Sequence, residues 1–291
     1  MIEFKDIDLK DFEIYQSFFK DNSELSCEIT FVNQLLWQKA YGNKMAVKDG
    51  ILFIKNESAN TVSFRLPKGG SLERGVELLK KYCGKMPNFW SEEGELFDRF
   101  CEKYKNEFEI YESREDFEYI YLSEKLANLS GKKYHSKRNH ISAFSKKYNW
   151  SYKPITIENL DQVINCAEEW YKNRNELNDR FLECEKNGIA VILSNMEKLK
   201  AKGGAVYVDG KIVAFTIGSA VNENVFDIHI EKALEEYQGA YAVINREFAR
   251  ELIQYKYINR EDDMGIEGLR TAKLSYKPEI ILKKYFCKAK V

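Results

Sequence analysis

The segment VFDIHIE, residues 225–231, alternates polar with apolar side chains. In an extended strand this period of two places the polar residues Asp227, His229 and Glu231 on one face. A carboxylate beside an imidazole is suited to acid–base catalysis, because a neighbouring charge moves the histidine pKa across neutrality. We therefore predict Asp227 and His229 as catalytic residues and Glu231 as a substrate-binding residue. The alternative is a half-exposed strand whose polar face is simply solvated.

The same three side chains do not predict a metal centre. At ~3.3 Å per residue the outer two lie roughly 13 Å apart along a straight strand, which is too far for one ion. The six cysteines (Cys27, Cys83, Cys101, Cys166, Cys184 and Cys287) show no paired spacing typical of metal ligands. We therefore expect no metal, and we expect reduced thiols that mostly pack as small apolar groups.

A basic segment lies in the middle of the chain, because no acidic residue occurs between Glu124 and Glu158. Such a local concentration of positive charge suits phosphate groups in a chain whose net charge is only −1. The alternatives are ordinary surface charge and, for the interleaved aromatic residues, a helix stripe that packs in the core. The segment predicts substrate-binding residues at Lys132, Lys133, His135, Lys137 and Arg138.

A second charged stretch, NREDDMGIEGLRTAKLSYKP, spans residues 259–278 and contains four acids and four basic residues. Its two glycines and its closing Lys277-Pro278 indicate a shaped loop rather than a random solvated one. A solvated loop could carry the same charges, so this stretch alone does not assign a function to them.

Composition restricts the class of protein. The chain has 291 residues, 44% of them hydrophobic, which is enough for one large domain or two of about 150 residues. No apolar run approaches the roughly 18 residues of a membrane span, and the N-terminus is not typical of a targeting sequence. We therefore expect a soluble, cytoplasmic protein.

The two halves of the chain show the same order of elements. Residues 45–56 and 203–220 each predict a β-hairpin, with turns at Asp49-Gly50 and Asp209-Gly210. A further strand and then an amphipathic helix follow each hairpin, at residues 71–84 and 239–254. This order resembles the GNAT acyltransferase fold in two copies; the alternative is an unrelated α+β domain.

The predicted fold class is therefore α/β (α+β), with tandem GNAT-like domains, each a mixed, mostly antiparallel sheet flanked by helices. We predict an N-terminal domain at residues 1–122, a basic connecting segment at 123–150 and a C-terminal domain at 151–291.

Three stretches together carry a more specific resemblance: GKKYHSKRNHI, the segment from Phe226 to Phe248, and residues 259–278. They resemble a bacterial family that shares the C-terminal domain of phosphatidylglycerol lysyltransferases and is built like the Fem-type peptidyltransferases. The C-terminal motif of those enzymes matches Lys273, Tyr276, Pro278, Lys284 and Tyr285, although Ala272 replaces its phenylalanine.

The resemblance implies transfer of an aminoacyl group from its tRNA ester to an amine or hydroxyl acceptor. Lys273 would then be a catalytic residue that stabilises the oxyanion, and Asp262, Asp263 and Glu267 would hold the α-ammonium or orient the acceptor. Arg260 and Arg270 of the same stretch are predicted to bind substrate with them. The basic segment would hold the acceptor end of the tRNA. The acceptor implied is a small molecule or a lipid headgroup.

Two alternatives remain open. A GNAT enzyme binds the pyrophosphate of coenzyme A in the loop that here reads EKALEEYQGAYAV, residues 231–243. Glu236 and Tyr241 depart from the usual pattern there, which disfavours an acyl-CoA donor, and Tyr241 is kept as a substrate-binding residue. The second alternative is a non-catalytic GNAT pair that binds RNA or another anionic ligand. The sequence does not predict the oligomeric state.

Overall fold

Two seven-stranded sheets with helices on their faces form the described part of the chain. The structure is a computed structural model that describes residues 2–20, 22–58, 61–173 and 180–290. Its strands are β1 (Lys5–Asp6), β2 (Lys44–Lys48), β3 (Ile51–Ser58), β4 (Thr61–Arg65), β5 (Asn88–Glu92), β6 (Phe108–Glu112), β7 (Glu118–Leu122), β8 (Trp150–Pro154), β9 (Lys202–Val208), β10 (Lys211–Ala220), β11 (Val225–Ala233), β12 (Tyr257–Asn259), β13 (Ile280–Leu282) and β14 (Lys284–Ala289). Its helices are α1 (Phe12–Ser17), α2 (Phe31–Tyr41), α3 (Leu72–Cys83), α4 (Glu95–Tyr104), α5 (Ser123–Asn128), α6 (His135–Lys147), α7 (Leu160–Lys172), α8 (Arg180–Leu193), α9 (Ala240–Glu251) and α10 (Glu267–Ser275).

The predicted hairpins are both present, as β2–β3 and β9–β10. Asp49 and Gly50 have φ of 54° and 71°, and Asp209 and Gly210 have φ of 48° and 85°. Positive φ at both central residues is typical of the turn whose twist matches that of the flanking strands, which explains the Asp-Gly pairs. The predicted hairpins are therefore confirmed.

Each sheet contains one parallel strand pair, joined through a crossover helix. β4 pairs with β5 through α3, and β11 pairs with β12 through α9. The other strand pairs of the described residues are antiparallel. Both sheets are therefore mixed and mostly antiparallel, as the sequence predicts.

Sheet membership does not follow chain order. The first sheet has the order β1-β2-β3-β4-β5-β14-β6 and the second the order β13-β7-β12-β11-β10-β9-β8. The C-terminal strand β14 thus lies in the first sheet, and β7 lies in the second. The predicted ranges 1–122 and 151–291 each contribute a strand to the sheet of the other, while 123–150 holds α5 and α6.

A β-bulge at His229 interrupts the alternation of β11. Opposite β10, Ile217 faces Ile230 and Gly218 faces Ile228, so His229 is the extra residue. Ile228 packs in the core around α9, whereas Ile230 packs in the core on the other face, against α2 and α7. The prediction that residues 227, 229 and 231 share one face is wrong, because the bulge reverses the alternation. The strand is also buried, so its polar residues are not a solvated face.

One apolar core connects the halves. It combines Phe31 and Leu36 of α2 with Trp170 of α7 and Ile189 of α8. Burial of such large side chains holds the two sheets in a fixed relation, which a site between them requires. Within the described ranges, no helix has both the length and the apolar character needed to cross a membrane.

Candidate active site

A cavity of about 1110 Å³ opens where β11 and β12 separate. Their parallel pairing ends at Asp227 and Asn259. Beyond that point residues 228–232 and 260–262 diverge, and both segments line the cavity. Side chains of α2, α6, α8 and α10 complete the wall, so both halves of the chain contribute to one site.

A buried imidazole contacts two carboxylates in this cavity. Nδ1 of His229 lies 3.0 Å from Oδ2 of Asp227 and 3.1 Å from Oε1 of Glu261. Burial alone would lower the pKa of His229, but the two carboxylates outweigh it and raise the pKa to about 9. His229 is therefore an imidazolium at neutral pH. It orients and neutralises the carboxylates, and it is not free to accept a proton.

Ser219 completes a Ser–His–Asp arrangement without being a nucleophile. Nε2 of His229 lies 2.8 Å from the Ser219 hydroxyl oxygen, so the imidazolium donates to it. The serine side chain is buried and is absent from the cavity wall, so a substrate in the cavity does not reach it. The three residues form a buried hydrogen-bonded unit that fixes the orientation of the imidazole.

Glu261 has a constrained backbone and a side chain in the cavity. Its φ of 53° is uncommon for a residue other than glycine. Lys273 donates to the carbonyl oxygens of Arg260 and Asp262, the two neighbours of Glu261. The backbone N–H of Glu261 donates to Oδ1 of Asn259 at 2.8 Å. These bonds on both sides hold the left-handed conformation.

Lys273 is buried in α10 and lines the cavity, as expected for a predicted catalytic residue. Burial lowers its pKa, although the carboxylate of Asp262 opposes that change. Two of its three N–H donors are used by the backbone carbonyls, which leaves one for a substrate. The lysine therefore shapes the loop as well as facing the cavity.

A cationic wall lies on the side of α6. Lys137 lines the cavity, with its Nζ 4.1 Å from the ring centre of Tyr276. Arg260 pairs with Glu231 at 2.7 Å, and its Nη1 is buried without a hydrogen bond. Burial and the charge of Arg260 lower the pKa of Lys137. Both cations thus have donors available for an anionic or carbonyl group.

An acidic wall of the same cavity is formed by Glu28, Asp116 and Asp262, of which Glu28 also pairs with Lys284 at 2.8 Å. Desolvation and the charges of Glu28 and Asp262 raise the pKa of Asp116 to about 7, against the effect of Lys284. Desolvation and the neighbouring carboxylate of Glu261 raise the pKa of Asp262 to about 6, against the effect of Lys273. Carboxylates that repel one another in this way would be stabilised by a bound cation.

Three predicted residues of the 259–278 stretch lie away from the cavity. Asp263 is buried and accepts two bonds of 2.8 Å from Arg270 and one of 3.1 Å from Arg114. This clamp holds the pKa of Asp263 below its usual range. Glu267 is exposed at the start of α10. None of Asp263, Glu267 and Arg270 lines the cavity, so the geometry assigns Asp263 and Arg270 to loop structure rather than to a substrate.

The remaining basic residues form an exposed surface next to the cavity. Lys132, Lys133, His135 and Arg138 are exposed, and Arg138 donates to the carbonyl oxygen of Gly131 at 2.7 Å. No carboxylate of the described residues lies within 4.0 Å of the side-chain nitrogens of Lys132, Lys133, Lys137 or Arg138. We call the exposed residues Lys132, Lys133, His135 and Arg138 the α6 cation surface.

The chain that forms this site also matches a known protein family. Residues 22–288 match the family described as phosphatidylglycerol lysyltransferase, C-terminal. The chain belongs to this family. Four of its motif residues named above, Lys273, Tyr276, Lys284 and Tyr285, line the cavity.

Relatives of this lysyltransferase C-terminal family include proteins without an assigned activity. A crystal structure of a conserved protein of unknown function from Bacteroides thetaiotaomicron VPI-5482 is 36% identical over 100% of both chains, with a TM-score of 0.92. An uncharacterized protein of Mycoplasmoides gallisepticum is 33% identical over 184 residues, which are 62% of this chain and 58% of that protein. The matched part thus spans less than two thirds of that relative.

The fold is shared more widely. L-PGS from Bacillus licheniformis has a TM-score of 0.65 at 15% identity, covering 95% of this chain and 91% of that one. FemX has a TM-score of 0.60 at 9% identity, covering 99% and 97%. At these identities the likeness concerns the fold. The tandem GNAT fold is confirmed, and family and fold together support an acyltransferase-like function.

Sequence reasoning missed several residues of this site, above all Glu261. The run Glu261-Asp262-Asp263 gives no signal for which acid faces inward, because the left-handed turn at Glu261 sets the register. Lys284 was noticed only as a motif residue. It binds Glu118, a fully buried carboxylate that also accepts from Ser26 and from the backbone N–H of Cys27.

One group of side chains near Glu261 has the composition of a metal site. Sγ of Cys27 and carboxylate oxygens of Asp227 and Glu261 lie within 4.8 Å of one another. The imidazolium of His229 already supplies positive charge to both carboxylates, and burial raises the pKa of the Cys27 thiol, which keeps it protonated. We therefore assign these residues to a proton-sharing cluster and not to metal ligation.

Proposed function

We propose that this chain transfers an aminoacyl group from aminoacyl-tRNA to an amine or hydroxyl acceptor. The observation that carries the proposal is the cavity at the separation of β11 and β12, which is lined by cations, among them Lys137 of α6 beside the α6 cation surface, and also by the carboxylates of the acidic wall. An aminoacyl ester has this polarity, because its tRNA end is a polyanion and its α-amino group is a cation.

Positioning of the donor follows from the two walls. The phosphates of the tRNA end lie on the α6 cation surface, with Lys137 and Arg260 at the entrance to the cavity. The α-ammonium lies against Asp116 and Asp262, whose pKa values are raised by desolvation and by neighbouring carboxylates, so that a bound cation would stabilise their charged forms. The ester carbonyl then lies between the walls.

Catalysis in this proposal depends on charge placement. The third N–H of Lys273 donates to the oxyanion that forms when the acceptor attacks the ester carbonyl. Placing donor and acceptor in one closed cavity supplies much of the remaining rate acceleration, so no serine or cysteine nucleophile is required.

The start of α9 supports an aminoacyl ester over acyl-CoA as the donor. Gly239 precedes this helix with a φ of 97°, and a Cβ at this position would lie 2.8 Å from the carbonyl oxygen of His140 in α6. An acceptor oxygen therefore lies where a pyrophosphate would need N–H donors, and Glu236 adds negative charge to the same loop.

Thermal denaturation with three ligands tests the proposal: bulk tRNA charged with radiolabelled amino acids, the same tRNA after deacylation, and acetyl-CoA. A ligand at 100 times its Kd stabilises the native state by about 2.7 kcal/mol. We expect charged tRNA to stabilise more than deacylated tRNA. We also expect label to move from tRNA to hydroxylamine, added as a probe acceptor, faster than it does without the protein, because hydroxylamine cleaves such esters slowly on its own.

Two results would contradict the proposal. Stabilisation by acetyl-CoA alone would favour a CoA-dependent acyltransferase. An equal response to both tRNAs, with no movement of label to hydroxylamine, would favour a non-catalytic RNA-binding protein.

A further inference from the structure

Glu261 lines the cavity, and hydrogen bonds hold its carboxylate in a fixed orientation there. Its Oε1 contacts Nδ1 of His229 at 3.1 Å and accepts from Nδ2 of Asn33 at 3.0 Å. Its Oε2 has no hydrogen bond from the described part of the chain, and the residue lines the cavity. One oxygen is therefore held in place, and the other is left for a substrate by a residue that lines the cavity.

We propose that Glu261 is the catalytic base that removes the proton from the attacking amine or hydroxyl acceptor. This inference rests on the function proposed above. It adds a catalytic residue that the charge pattern of the sequence did not single out.

The backbone supports a dedicated role. A non-glycine residue at φ 53° is held against a conformational cost of order 1–3 kcal/mol. The bonds of Lys273 to the carbonyls of Arg260 and Asp262 and the bond of the Glu261 N–H to Asn259 maintain that conformation. The same lysine that faces the oxyanion thus fixes the backbone on both sides of the base.

The protonation state agrees with this geometry. Burial and the neighbouring charge of Asp227 raise the pKa of Glu261 to about 7, with His229 opposing. A base with a pKa near the working pH combines a large unprotonated fraction with a useful affinity for the proton. His229 does not compete for this role, because its own pKa of about 9 keeps it protonated.

Asp262 is the nearest alternative in sequence. Its Oδ1 accepts from the backbone N–H of Met264 at 2.9 Å, and it lies on the acidic wall beside Asp116. It has no contact with His229, the buried imidazolium that holds Glu261. Asp262 therefore suits the α-ammonium, whereas Glu261 suits the proton transfer.

Transfer to the acceptor consists of an addition to the ester followed by loss of the ribose oxygen. The acceptor nitrogen or oxygen forms a bond to the ester carbon, its proton passes to Oε2 of Glu261, and the carbonyl electron pair moves to the oxygen beside Lys273. The intermediate collapses, the bond from carbon to the ribose oxygen breaks, and that oxygen takes the proton from Glu261. The carboxylate is regenerated, and the aminoacyl group is joined to the acceptor.

Two probe acceptors and two variants test the inference. Glycinamide is largely protonated at neutral pH and requires proton removal, whereas hydroxylamine is largely unprotonated. With charged tRNA as donor, Glu261→Gln should reduce transfer to glycinamide by about 10²–10⁴-fold, the usual contribution of general base catalysis, and reduce transfer to hydroxylamine much less. Formate should restore transfer to glycinamide by Glu261→Ala, because it replaces the missing carboxylate.

After division by the free-amine fraction of glycinamide, the wild-type rate should still fall as pH decreases through about 7, and Glu261→Gln should lack this additional fall, because protonation of the acceptor itself affects both proteins alike. Glu102→Gln, an exposed change on α4 away from the cavity, is the matched control. Unchanged transfer to glycinamide by Glu261→Gln would overturn the inference alone. Equal losses with both acceptors and no rescue by formate would also overturn it, by indicating a structural role. A wild-type protein that transfers to neither acceptor would instead refute the proposed function.

Discussion

His229 and Glu261 meet across the point where the parallel strands β11 and β12 separate, with Nδ1 of the histidine 3.1 Å from Oε1 of the glutamate. The contact joins a β-bulge on one strand to a left-handed turn after the other. Both irregularities aim a side chain away from the regular sheet and towards the cavity. The protonation of this pair therefore affects both stability and the geometry of the site.

Stability should fall as pH rises from about 6.5 to about 9. The folded protein raises the pKa of His229 from 6.5 to about 9. The resulting stabilisation is fully present below 6.5 and is lost as pH rises through 9, by at most about 3 kcal/mol. Urea unfolding of the wild type and His229→Gln at several pH values measures this loss.

Glu261 also makes the folded state less stable as pH rises, but over a lower pH range than His229 does. Its pKa is raised from 4.5 to about 7, so folding favours its protonated form and this contribution is lost as pH rises through 7. The variant His229→Gln should lack the decrease between 7 and 9. A decrease of equal size in wild type and variant would contradict the assignment to His229.

Lys273→Met should abolish transfer and also destabilise the fold. A lysine that acted only in catalysis would be lost with nearly unchanged stability. The structure adds two buried bonds, to the carbonyls of Arg260 and Asp262, and each carbonyl left without a donor costs about 1–3 kcal/mol. Chemical unfolding, together with transfer from charged tRNA, separates the two effects. Full transfer activity in a destabilised variant would remove Lys273 from the chemistry.

The sequence predicted the fold well because local signals coincide with it. The Asp-Gly turns require positive φ, and the capped helix after Ser71 shows a clear apolar period, with Ser71 accepting from the backbone N–H of Arg74 at 3.2 Å. The exchange of β7 and β14 between the sheets was not predicted, because pairing between distant strands leaves no local pattern.

The candidate site was predicted only in part, because residue types are visible in the sequence whereas side-chain orientation depends on tertiary contacts. Asp227, His229 and Lys273 were identified from residue type and position. His229 and Lys273 line one cavity, and Asp227 contacts His229 without lining it. The orientation of Glu231 was wrong, because the bulge at His229 depends on the pairing of β11 with β10. Glu261 was missed, since its left-handed conformation results from the bonds of Lys273 and Asn259, which are tertiary contacts.

Gly218→Ala should disrupt the bulge that presents His229. A Cβ at residue 218 would lie 2.1 Å from the carbonyl oxygen of Asp227, a backbone atom that moves only with the strand. We expect a loss of about 1–3 kcal/mol, typical of an overpacked core, together with impaired transfer. Thermal unfolding measures it. Gly268→Ala is the control, because nothing lies within 4 Å of the added Cβ; equal stability of the two variants would contradict the prediction.

Glu118→Ala should be among the most destabilising single substitutions in this region. The carboxylate is fully buried and receives bonds from Ser26, Cys27, Asn259 and Lys284. Its removal leaves the buried Lys284 with fewer counter-charges, which costs about 3–5 kcal/mol. Urea unfolding measures the loss.

A double-mutant cycle identifies the partner. Adding Lys284→Met to Glu118→Ala should cost less than the sum of the single changes, because the second change removes the uncompensated cation. Glu102→Ala, on the exposed face of α4, should stay within about 0.5 kcal/mol of wild type. Additive losses would show that the Glu118–Lys284 pair does not contribute to stability as a unit.

The α6 cation surface should account for the salt dependence of tRNA binding. Lys132→Glu/Lys133→Glu removes two exposed cations that have no carboxylate partner in the described ranges, so it should weaken binding without unfolding the protein. Each lost phosphate contact should reduce the slope of log Kd against log salt concentration by about 0.7–0.9. The matched control is Lys80→Glu/Lys81→Glu, on the exposed face of α3 in the other half of the chain, which changes net charge equally. Because a uniform effect of net charge would weaken binding in both variants alike, only a loss confined to the first variant supports a specific surface.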